Sequence, residues 1–240
     1  MSFSPHDEAA ARRFPGPDYH EVMRWIHEAL KPAAYVEIGI LGGGTLKLAL
    51  PETVVAGIDP AVRGPRVFSC TSNDFFSRHN LREVLAGKDL AFAFIDGLHL
   101  FEQALADFAN LERYAAPGAI IALHDTIPLD RETSARRRTT EFHTGDVWKT
   151  VACLRRHRPD LDMVTVETAP TGLTLMRTAG PHALPPIDDF LALDYEYFER
   201  HHAEFLGLVP NDRDTVVSFC QKTPVQSISS RGAEMPSSRR

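Results

Sequence analysis

Short apolar runs alternate with helix-like stretches along most of this chain. Seven runs rich in apolar residues, most of them continuous, predict β-strands at residues 33–40, 54–58, 67–70, 90–95, 119–123, 163–168 and 173–176. Apolar residues at helical spacing predict helices at residues 19–30, 74–85, 101–113, 145–158 and 190–205. Continuous apolar strands separated by amphipathic helices are typical of a parallel sheet covered on both faces. The pattern therefore predicts a doubly wound α/β domain.

Two segments do not fit this alternation. Residues 223–240 are rich in Ser, Pro and Arg and poor in bulky apolar residues, which predicts a disordered tail. Residues 127–144 are polar, carry four arginines and are long for a passive connection, which predicts a lid or a short surface helix. We expect residues 1–222 to form a single domain with its core at about residues 33–178.

Composition narrows the class of protein. Apolar residues make up 43% and charged residues 24% of the 240 residues, which is ordinary globular usage and excludes general disorder. A net charge of −6 gives no general attraction to nucleic acid or to anionic lipid. Three distant cysteines do not suit a disulfide framework, and no membrane-length apolar run or signal peptide is visible. We expect a cytoplasmic protein that acts on a small molecule or binds another protein.

Four closely spaced glycines follow the first predicted strand: Gly39, Gly42, Gly43 and Gly44. At a strand-to-helix turn, such glycines let a ligand lie on the backbone and face free helix N–H groups. Leu41 breaks the dinucleotide-binding pattern G-x-G-x-x-G, and Thr45-Leu46 replaces the Lys-Ser/Thr of a P-loop. Glu37 would repel a pyrophosphate and suits a ligand with an ammonium or sulfonium charge. A turn that serves only tight strand–helix packing is the alternative.

Polar residues also follow the second and third predicted strands. Asp59 stands where an acid can accept both ribose hydroxyls of a nucleoside, next to the glycine turn. The alternative is a turn or helix-cap aspartate, a role in which Asp-Pro is common. Ser72 and its polar neighbours could reach an adenine edge. Together these positions predict a nucleoside site.

The fourth and fifth predicted strands each end in an acid with a histidine nearby. Asp96 precedes His99 by three residues, and His124 directly precedes Asp125. If neighbouring strand ends meet, Asp96, His124 and Asp125 form an O,N,O set that suits a divalent ion with open positions. Such an ion lowers the pKa of a substrate hydroxyl and fixes its orientation. The alternative is that these residues cap helices and satisfy loop backbone.

Several motifs at successive strand ends resemble those of class I S-adenosylmethionine-dependent methyltransferases. They are E-x-G-x-x-G-G-G, G-I-D-P, F-I-D-G-x-H-x-F before a long helix, and H-D-T after P-G-A-I-I. Within that superfamily the chain is similar to the small-molecule O-methyltransferase branch, over about residues 35–176. The resemblance implies a Rossmann-like sheet of seven mostly parallel strands with an antiparallel last strand, and S-adenosylmethionine as cofactor.

The resemblance also implies residue roles. The cofactor would be bound by Glu37, Gly39, Gly42, Gly43, Gly44, Asp59, Ser72 and Asp96. Asp96 would also take part in catalysis, and a metal ion would be held by Asp96, His124 and Asp125. His99 falls where the family keeps a catalytic lysine and would act as the base, since its ordinary pKa is near neutrality. Histidine at position 124 departs from the family and suits Zn, Mn or Fe better than Mg.

These observations predict methyl transfer to a hydroxyl of a small metabolite. The alternatives are a methyltransferase-like domain that only binds a nucleoside or a partner, and a nicotinamide-dependent oxidoreductase, against which Leu41 and Glu37 count. The arginines of residues 127–144 could close over an acidic acceptor or simply form a solvated face. His143 and Trp148 are candidates for the acceptor pocket. The aromatic-rich residues 190–205 would suit a homodimer contact, although packing on their own domain is the simpler interpretation.

Overall fold

An eight-stranded sheet runs through the computed structural model, which describes residues 5–222. The strands are β1 (Ala34–Ile38), β2 (Val54–Ile58), β3 (Val67–Phe68), β4 (Leu90–Ile95), β5 (Ala115–His124), β6 (Asp162–Val166), β7 (Leu173–Arg177) and β8 (Leu208–Val209). Their order is β3-β2-β1-β4-β5-β7-β6-β8, and β7 runs antiparallel to both of its neighbours while the other pairs are parallel. The predicted α/β class and the antiparallel final predicted strand are confirmed.

Helices cover both faces of the sheet. They are α1 (Pro5–Arg13), α2 (Tyr19–Leu30), α3 (Ser72–Arg78), α4 (Leu81–Val84), α5 (Phe101–Glu112), α6 (Trp148–His157), α7 (Asp188–Leu191), α8 (Tyr195–Leu206) and α9 (Arg213–Gln221). Strand β4 shows how one apolar run serves two cores, because Phe92 and Phe94 face α2 and α9 while Ala93 and Ile95 face the opposite core. Successive side chains of a strand point to opposite faces, so a strand buried on both sides needs apolar residues throughout.

Several predicted elements differ from those observed. The predicted helix at residues 74–85 is divided into α3 and α4, because His79 is extended and Asn80 accepts a hydrogen bond from the Arg82 amide as a new N-cap. The predicted helix at residues 190–205 is likewise divided, and Asp194 caps α8 by accepting from the Tyr197 amide. Side-chain caps compete locally with helix continuation, which apolar spacing does not reveal.

Three elements were not predicted: α1, β8 and α9. Helix α9 buries Val216 and Phe219 against α2, and β8 extends the sheet beyond β6 with two residues. Helix α1 buries Ala10 alone among its residues, and β8 has two residues, so their apolar patterns are too short to recognise. Strand β3 is also shorter than predicted, because it pairs with β2 at Val67 and Phe68.

None of the helices in residues 5–222 is long and apolar enough to cross a membrane. The predicted tail at residues 223–240 lies outside the described residues. The aromatic-rich helix α8 buries Phe198 and Phe205 against Trp148 of α6, so these rings pack on their own domain. Trp148 is therefore a core residue and does not line a pocket.

Candidate active site

The carboxyl ends of β1, β4 and β5 lie side by side. Residue pairs Ile38–Ile95 and Ile95–Leu123 are in register across these strands. The residues that complete or follow the strands, Asp96 and His124, are therefore neighbours. The topology brings together the strand ends that the sequence predicts, at the edge where ligands bind in open α/β sheets.

Four side chains at this edge form what we call the carboxylate–imidazole cluster: Asp96, His99, His124 and Asp125. His124 Nδ1 lies 3.2 Å from Asp96 Oδ1 and 3.5 Å from Asp125 Oδ1. His99 Nε2 lies 3.1 Å from Asp125 Oδ2 and 3.7 Å from Asp96 Oδ1. All four predicted residues are thus brought together, with one nitrogen of each ring facing the two carboxylates.

Backbone and side-chain contacts hold the cluster in this arrangement. His99 Nδ1 lies 2.6 Å from the His143 carbonyl oxygen, which can only accept, so the ring carries a proton at Nδ1 and turns Nε2 to the carboxylates. Thr171 donates to Asp125 Oδ1 over 2.7 Å. Gly145 has φ 57°, and a Cβ there would lie 1.9 Å from the His99 carbonyl oxygen, so only glycine allows this approach.

The cluster concentrates charge in a buried place. Burial disfavours the charged form of His99, but Asp125 and Asp96 outweigh it and raise its pKa to about 9. The same balance raises the pKa of His124 to about 10. Burial would raise the pKa of Asp125, but His99 and His124 hold it well below its usual range. Nearby positive charge therefore stabilises the two carboxylates, and either two imidazolium protons or a divalent cation can supply it.

The donor atoms fit a divalent ion. One ligand atom each from Asp96, His124 and Asp125 lies within 4.8 Å of the others. Carboxylate oxygens with an imidazole nitrogen suit Mn, Fe or Zn better than Mg. The cavity at the cluster has a volume of about 10 Å³, which suits one atom-sized ligand. A larger cavity of about 280 Å³ lies between α6, α7 and α8 and is lined by none of the cluster residues.

The glycine turn after β1 combines packing with open space. A Cβ at Gly39, which has φ 84°, would lie 2.0 Å from the Asp96 carbonyl oxygen, so this glycine lets the β1 and β4 loops touch. Around Gly42 no atom lies within 4 Å of such a Cβ, so its backbone is accessible. A three-residue 3-10 helix, Leu46–Leu48, follows the turn. The expected α-helix N-terminus facing the ligand is therefore absent from residues 39–53.

Glu37 lies buried beneath the glycine turn. Its two oxygens accept hydrogen bonds from the Tyr35 hydroxyl at 2.7 Å and from the Thr45 hydroxyl at 2.6 Å. Burial raises the pKa of this carboxyl to about 7, although both hydrogen bonds favour the charged form. Glu37 therefore changes charge near neutral pH beside the predicted cofactor turn.

Asp59 fastens the glycine turn to the loop after β2. Its Oδ2 accepts from the amides of Ile40 at 2.8 Å and Leu41 at 3.4 Å. Its Oδ1 accepts from the amides of Ala61 and Val62 at 2.8 and 3.1 Å. Both oxygens thus have backbone partners, as in the turn alternative considered above. The ribose-binding role stays a prediction, and it requires Asp59 to share or exchange these bonds.

Ser72 joins α3 to α5. Its hydroxyl accepts a hydrogen bond from Gln103 Nε2 at 3.2 Å, and the same amide group donates to Asp107 at 2.9 Å. Asp107 is buried, which raises its pKa to about 6. The predicted contact of Ser72 with an adenine therefore stays a prediction, beside a structural role that this network already supports.

The arginine-rich residues 127–144 form turns and bends without a helix or strand, so the predicted surface helix is wrong. Arg136 pairs with Glu102 at 2.5 Å and with the buried Asp146 at 2.6 Å. Arg131 pairs with Glu196, and Arg138 donates to backbone carbonyls of the same segment. Three of the four arginines thus bind their own chain. The lid stays a prediction, and these pairs favour fastening the segment over gripping an acidic acceptor.

Two residues at the cluster were not predicted. Tyr19 begins α2, and its ring centroid lies 4.2 Å from that of His124. Thr171 lies in the turn before β7 and donates to Asp125. Neither position belongs to a motif in the sequence, because only the folded sheet brings the start of α2 and the β6–β7 turn to the end of β5.

Comparison with known proteins gives a family match at this site. Residues 61–126 match the model of a family described as a methyltransferase domain. This segment of the chain is therefore similar to a methyltransferase domain. The matched segment includes all four cluster residues and ends just after Asp125, whereas the glycine turn precedes it. The match supports the predicted methyltransferase class over residues 61–126.

Among solved structures, the chain is similar to cofactor-bound Rv0187 from MTB, with 17% identity and a TM-score of 0.49 over 74% of this chain and 91% of that one. It is also similar to an O-methyltransferase from Bacillus cereus in complex with SAH, with 14% identity and a TM-score of 0.48 over 74% and 92%. TomG from Streptomyces achromogenes, in complex with SAM, matches with 14% identity and a TM-score of 0.44 over 75% and 92%. No curated protein sequence matches the chain.

Proposed function

We propose that this protein transfers the methyl group of S-adenosylmethionine to a hydroxyl group of a small molecule. The observation that carries the proposal is the carboxylate–imidazole cluster, which lies beside the glycine turn and within the segment that is similar to a methyltransferase domain. The strand ends thus juxtapose a loop suited to the methyl donor and a set of side chains suited to a hydroxyl acceptor.

The cofactor lies on the turn after β1. Gly39 allows the close approach of the β4 loop, and Gly42 leaves the backbone accessible to the methionine part. The Glu37 carboxylate attracts the ammonium or sulfonium charge from below. Asp59 holds the turn in place and is the proposed partner of the ribose hydroxyls.

The cluster binds and activates the acceptor. Asp96 and His99 are its more exposed members, with 23% and 24% of their side chains accessible, so the acceptor approaches over these two residues. His99 in its neutral form, whose remaining proton the His143 carbonyl keeps at Nδ1, accepts the hydroxyl proton at Nε2. Because the pKa of His99 is about 9, the share of this form increases as the pH rises toward 9. The hydroxyl oxygen attacks the methyl carbon, a C–O bond forms as the C–S bond breaks, and S-adenosylhomocysteine leaves.

Asp96, His124 and Asp125 would hold a divalent metal ion at this site. When bound, such an ion lowers the pKa of a hydroxyl and balances the charge of the carboxylates. Thr171 holds His124 and Asp125, and the hydrogen bond from the Asp96 amide to the Ile38 carbonyl holds Asp96 at the end of β4. The three side chains are therefore already close together.

The test is calorimetric titration of S-adenosylmethionine into the full chain, followed by a methyl-transfer assay with catechols, phenols and sugar hydroxyls, with and without Mn²⁺. We expect micromolar binding, transfer to one acceptor class, and a loss of at least about a hundredfold in turnover for His99→Ala. Absence of binding to folded protein would overturn the proposal. Binding without transfer to any acceptor would favour a domain that only binds the nucleoside.

A further inference from the structure

The start of α2 is fastened to the turn between β6 and β7. The Tyr19 amide donates to the Ala169 carbonyl at 3.0 Å. The Pro17 carbonyl accepts from the Thr168 hydroxyl at 2.9 Å and from the Asn211 side-chain amide at 2.7 Å. Asp18 caps the helix by accepting from the Glu21 amide. These bonds fix where the Tyr19 side chain begins, relative to the end of β5.

The Tyr19 ring packs on His124. The ring centroids are 4.2 Å apart and the planes are inclined by 36°. On another side, Phe94 meets the imidazole edge-on at 6.0 Å. The imidazole is buried, so these two aromatic rings form much of the surface that determines its orientation.

The second ring nitrogen of His124 makes only a weak hydrogen bond. Metal-binding histidines almost always donate their other ring nitrogen to a carboxylate, a carbonyl or a water, which fixes the ring. Here Nε2 has Thr171 Oγ1 at 3.5 Å, at the limit of a hydrogen bond, and that hydroxyl donates to Asp125 at 2.7 Å. Packing against Tyr19 supplies the constraint that this weak contact does not.

The first turn of α2 lies close to both the carboxylate–imidazole cluster and the glycine turn after β1. His20, the next residue, has Nε2 within 3.0 Å of the place where a Cβ on Gly44 would lie. The Tyr19 hydroxyl has no hydrogen-bond partner among residues 5–222, and burial together with the charges of Asp96, Asp125 and Glu37 raises its pKa. The phenol therefore stays neutral, and its ring rather than its charge acts on the cluster.

We propose that Tyr19 is a positioning residue that holds His124 with Nδ1 toward Asp96 and Asp125, and so determines the affinity of the cluster for a divalent cation. The inference depends on the proposed function in one respect, namely that the cluster binds such a cation. It predicts that the aromatic ring is needed and the hydroxyl is not.

The experiment titrates Mn²⁺ into the full chain by calorimetry and, separately, S-adenosylmethionine. We expect Tyr19→Phe to keep the Mn²⁺ dissociation constant within about twofold, and Tyr19→Leu to raise it by about tenfold or more. Both variants should bind S-adenosylmethionine within about twofold of the parent. Tyr19→Met, which fills similar volume without a ring face, replaces Tyr19→Leu if that variant does not fold.

Tyr197→Leu is the matched control. The Tyr197 ring lies 4.5 Å from that of His201 with an inclination of 31°. The substitution therefore removes a similar tyrosine–histidine contact, on α8 and away from the cluster. We expect no change in Mn²⁺ affinity. The inference would be overturned if Tyr19→Phe and Tyr19→Leu lost Mn²⁺ affinity equally, or if Tyr19→Leu bound Mn²⁺ as tightly as the parent. A loss of Mn²⁺ affinity in the Tyr197→Leu control would also overturn it.

The two proposals fail separately. If the parent binds S-adenosylmethionine and no Mn²⁺, the positioning role of Tyr19 is overturned while methyl transfer stands. If the parent binds Mn²⁺ with the expected dependence on the Tyr19 ring but no S-adenosylmethionine, the inference stands and the methyl donor is wrong.

Discussion

The acids at the carboxyl edge of the sheet form two groups with different partners. At the ends of β1 and β2, Glu37 and Asp59 accept hydrogen bonds from neutral donors, namely hydroxyls and backbone amides. Beyond β4 and β5, Asp96 and Asp125 face imidazole nitrogens. Neutral donors shape a turn without balancing charge, whereas acids beside imidazoles bind protons or a cation. The acids at β1 and β2 therefore stabilise a backbone turn, whereas the acids after β4 and β5 bind positive charge.

The imidazoles show the same contrast. His27 lies under the β1 side of the sheet, between the rings of Tyr35 and Phe92, and neither of its nitrogens has a partner within residues 5–222. Burial lowers its pKa to about 4. His99 and His124 are also buried, yet the neighbouring carboxylates reverse the direction of the shift. Whether a buried imidazole is charged thus depends on the acids beside it.

Removing one acid from the cluster should have the largest effect. Asp125→Asn keeps the shape but leaves two buried imidazoles beside one carboxylate, so we expect Mn²⁺ affinity and methyl transfer to fall by at least about a hundredfold. Calorimetry and the transfer assay measure the two losses. The control, Asp212→Asn, makes the same change of charge at the N-cap of α9, where asparagine also caps well. We expect it to leave Mn²⁺ affinity and methyl transfer unchanged. If Asp125→Asn bound Mn²⁺ and transferred methyl groups like the parent, the role of the carboxylate–imidazole cluster in binding positive charge would be contradicted.

The neutral imidazole of His27 predicts that the folded protein loses stability in acid. The unfolded chain takes up a proton at His27 below about pH 6.5, whereas the folded protein does so only near pH 4. Stability is therefore fully present above pH 6.5 and falls as the pH drops through this window, by about 3 kcal/mol at most. Denaturant unfolding at several pH values should show a steeper acid loss for the parent than for His27→Phe. Parallel curves would contradict the assignment of a neutral, unpartnered ring.

The smallest expected effect concerns the cofactor half. Glu37 ionises near pH 7, so affinity for S-adenosylmethionine should rise as the pH increases from 6 to 8 and the carboxylate forms. Glu37→Gln keeps two hydrogen-bonding partners and should bind about fivefold more weakly at pH 8, with a flat pH dependence. Titrations at both pH values measure this, and S-adenosylhomocysteine, which lacks the sulfonium charge, should respond less. An unchanged pH dependence in Glu37→Gln would exclude Glu37 as its source.

Most of the frame of the site could be predicted from local patterns. An apolar run followed directly by an acid marks the end of a buried strand, which is how Asp59 and Asp96 are recognised, and Asp125 follows its run after His124. Parallel strands share their carboxyl edge, so these positions must lie along one side of the sheet. What each carboxylate binds there could not be predicted. Asp59 bonds to amides of a turn 18 and 19 residues earlier, and Asp125 bonds to Thr171, 46 residues later.

The sequence by itself determined the sheet and the order of the chemical groups along its edge, because strand burial and turn chemistry depend on a few neighbouring residues. Tertiary structure alone decided that His27 stays neutral while His99 and His124 carry charge, and that Tyr19 packs on His124. Those outcomes depend on distances between elements remote along the chain and on the burial those elements create. Charge and hydrogen-bonding partners act through space, and no local pattern of residues specifies which remote group fills that space.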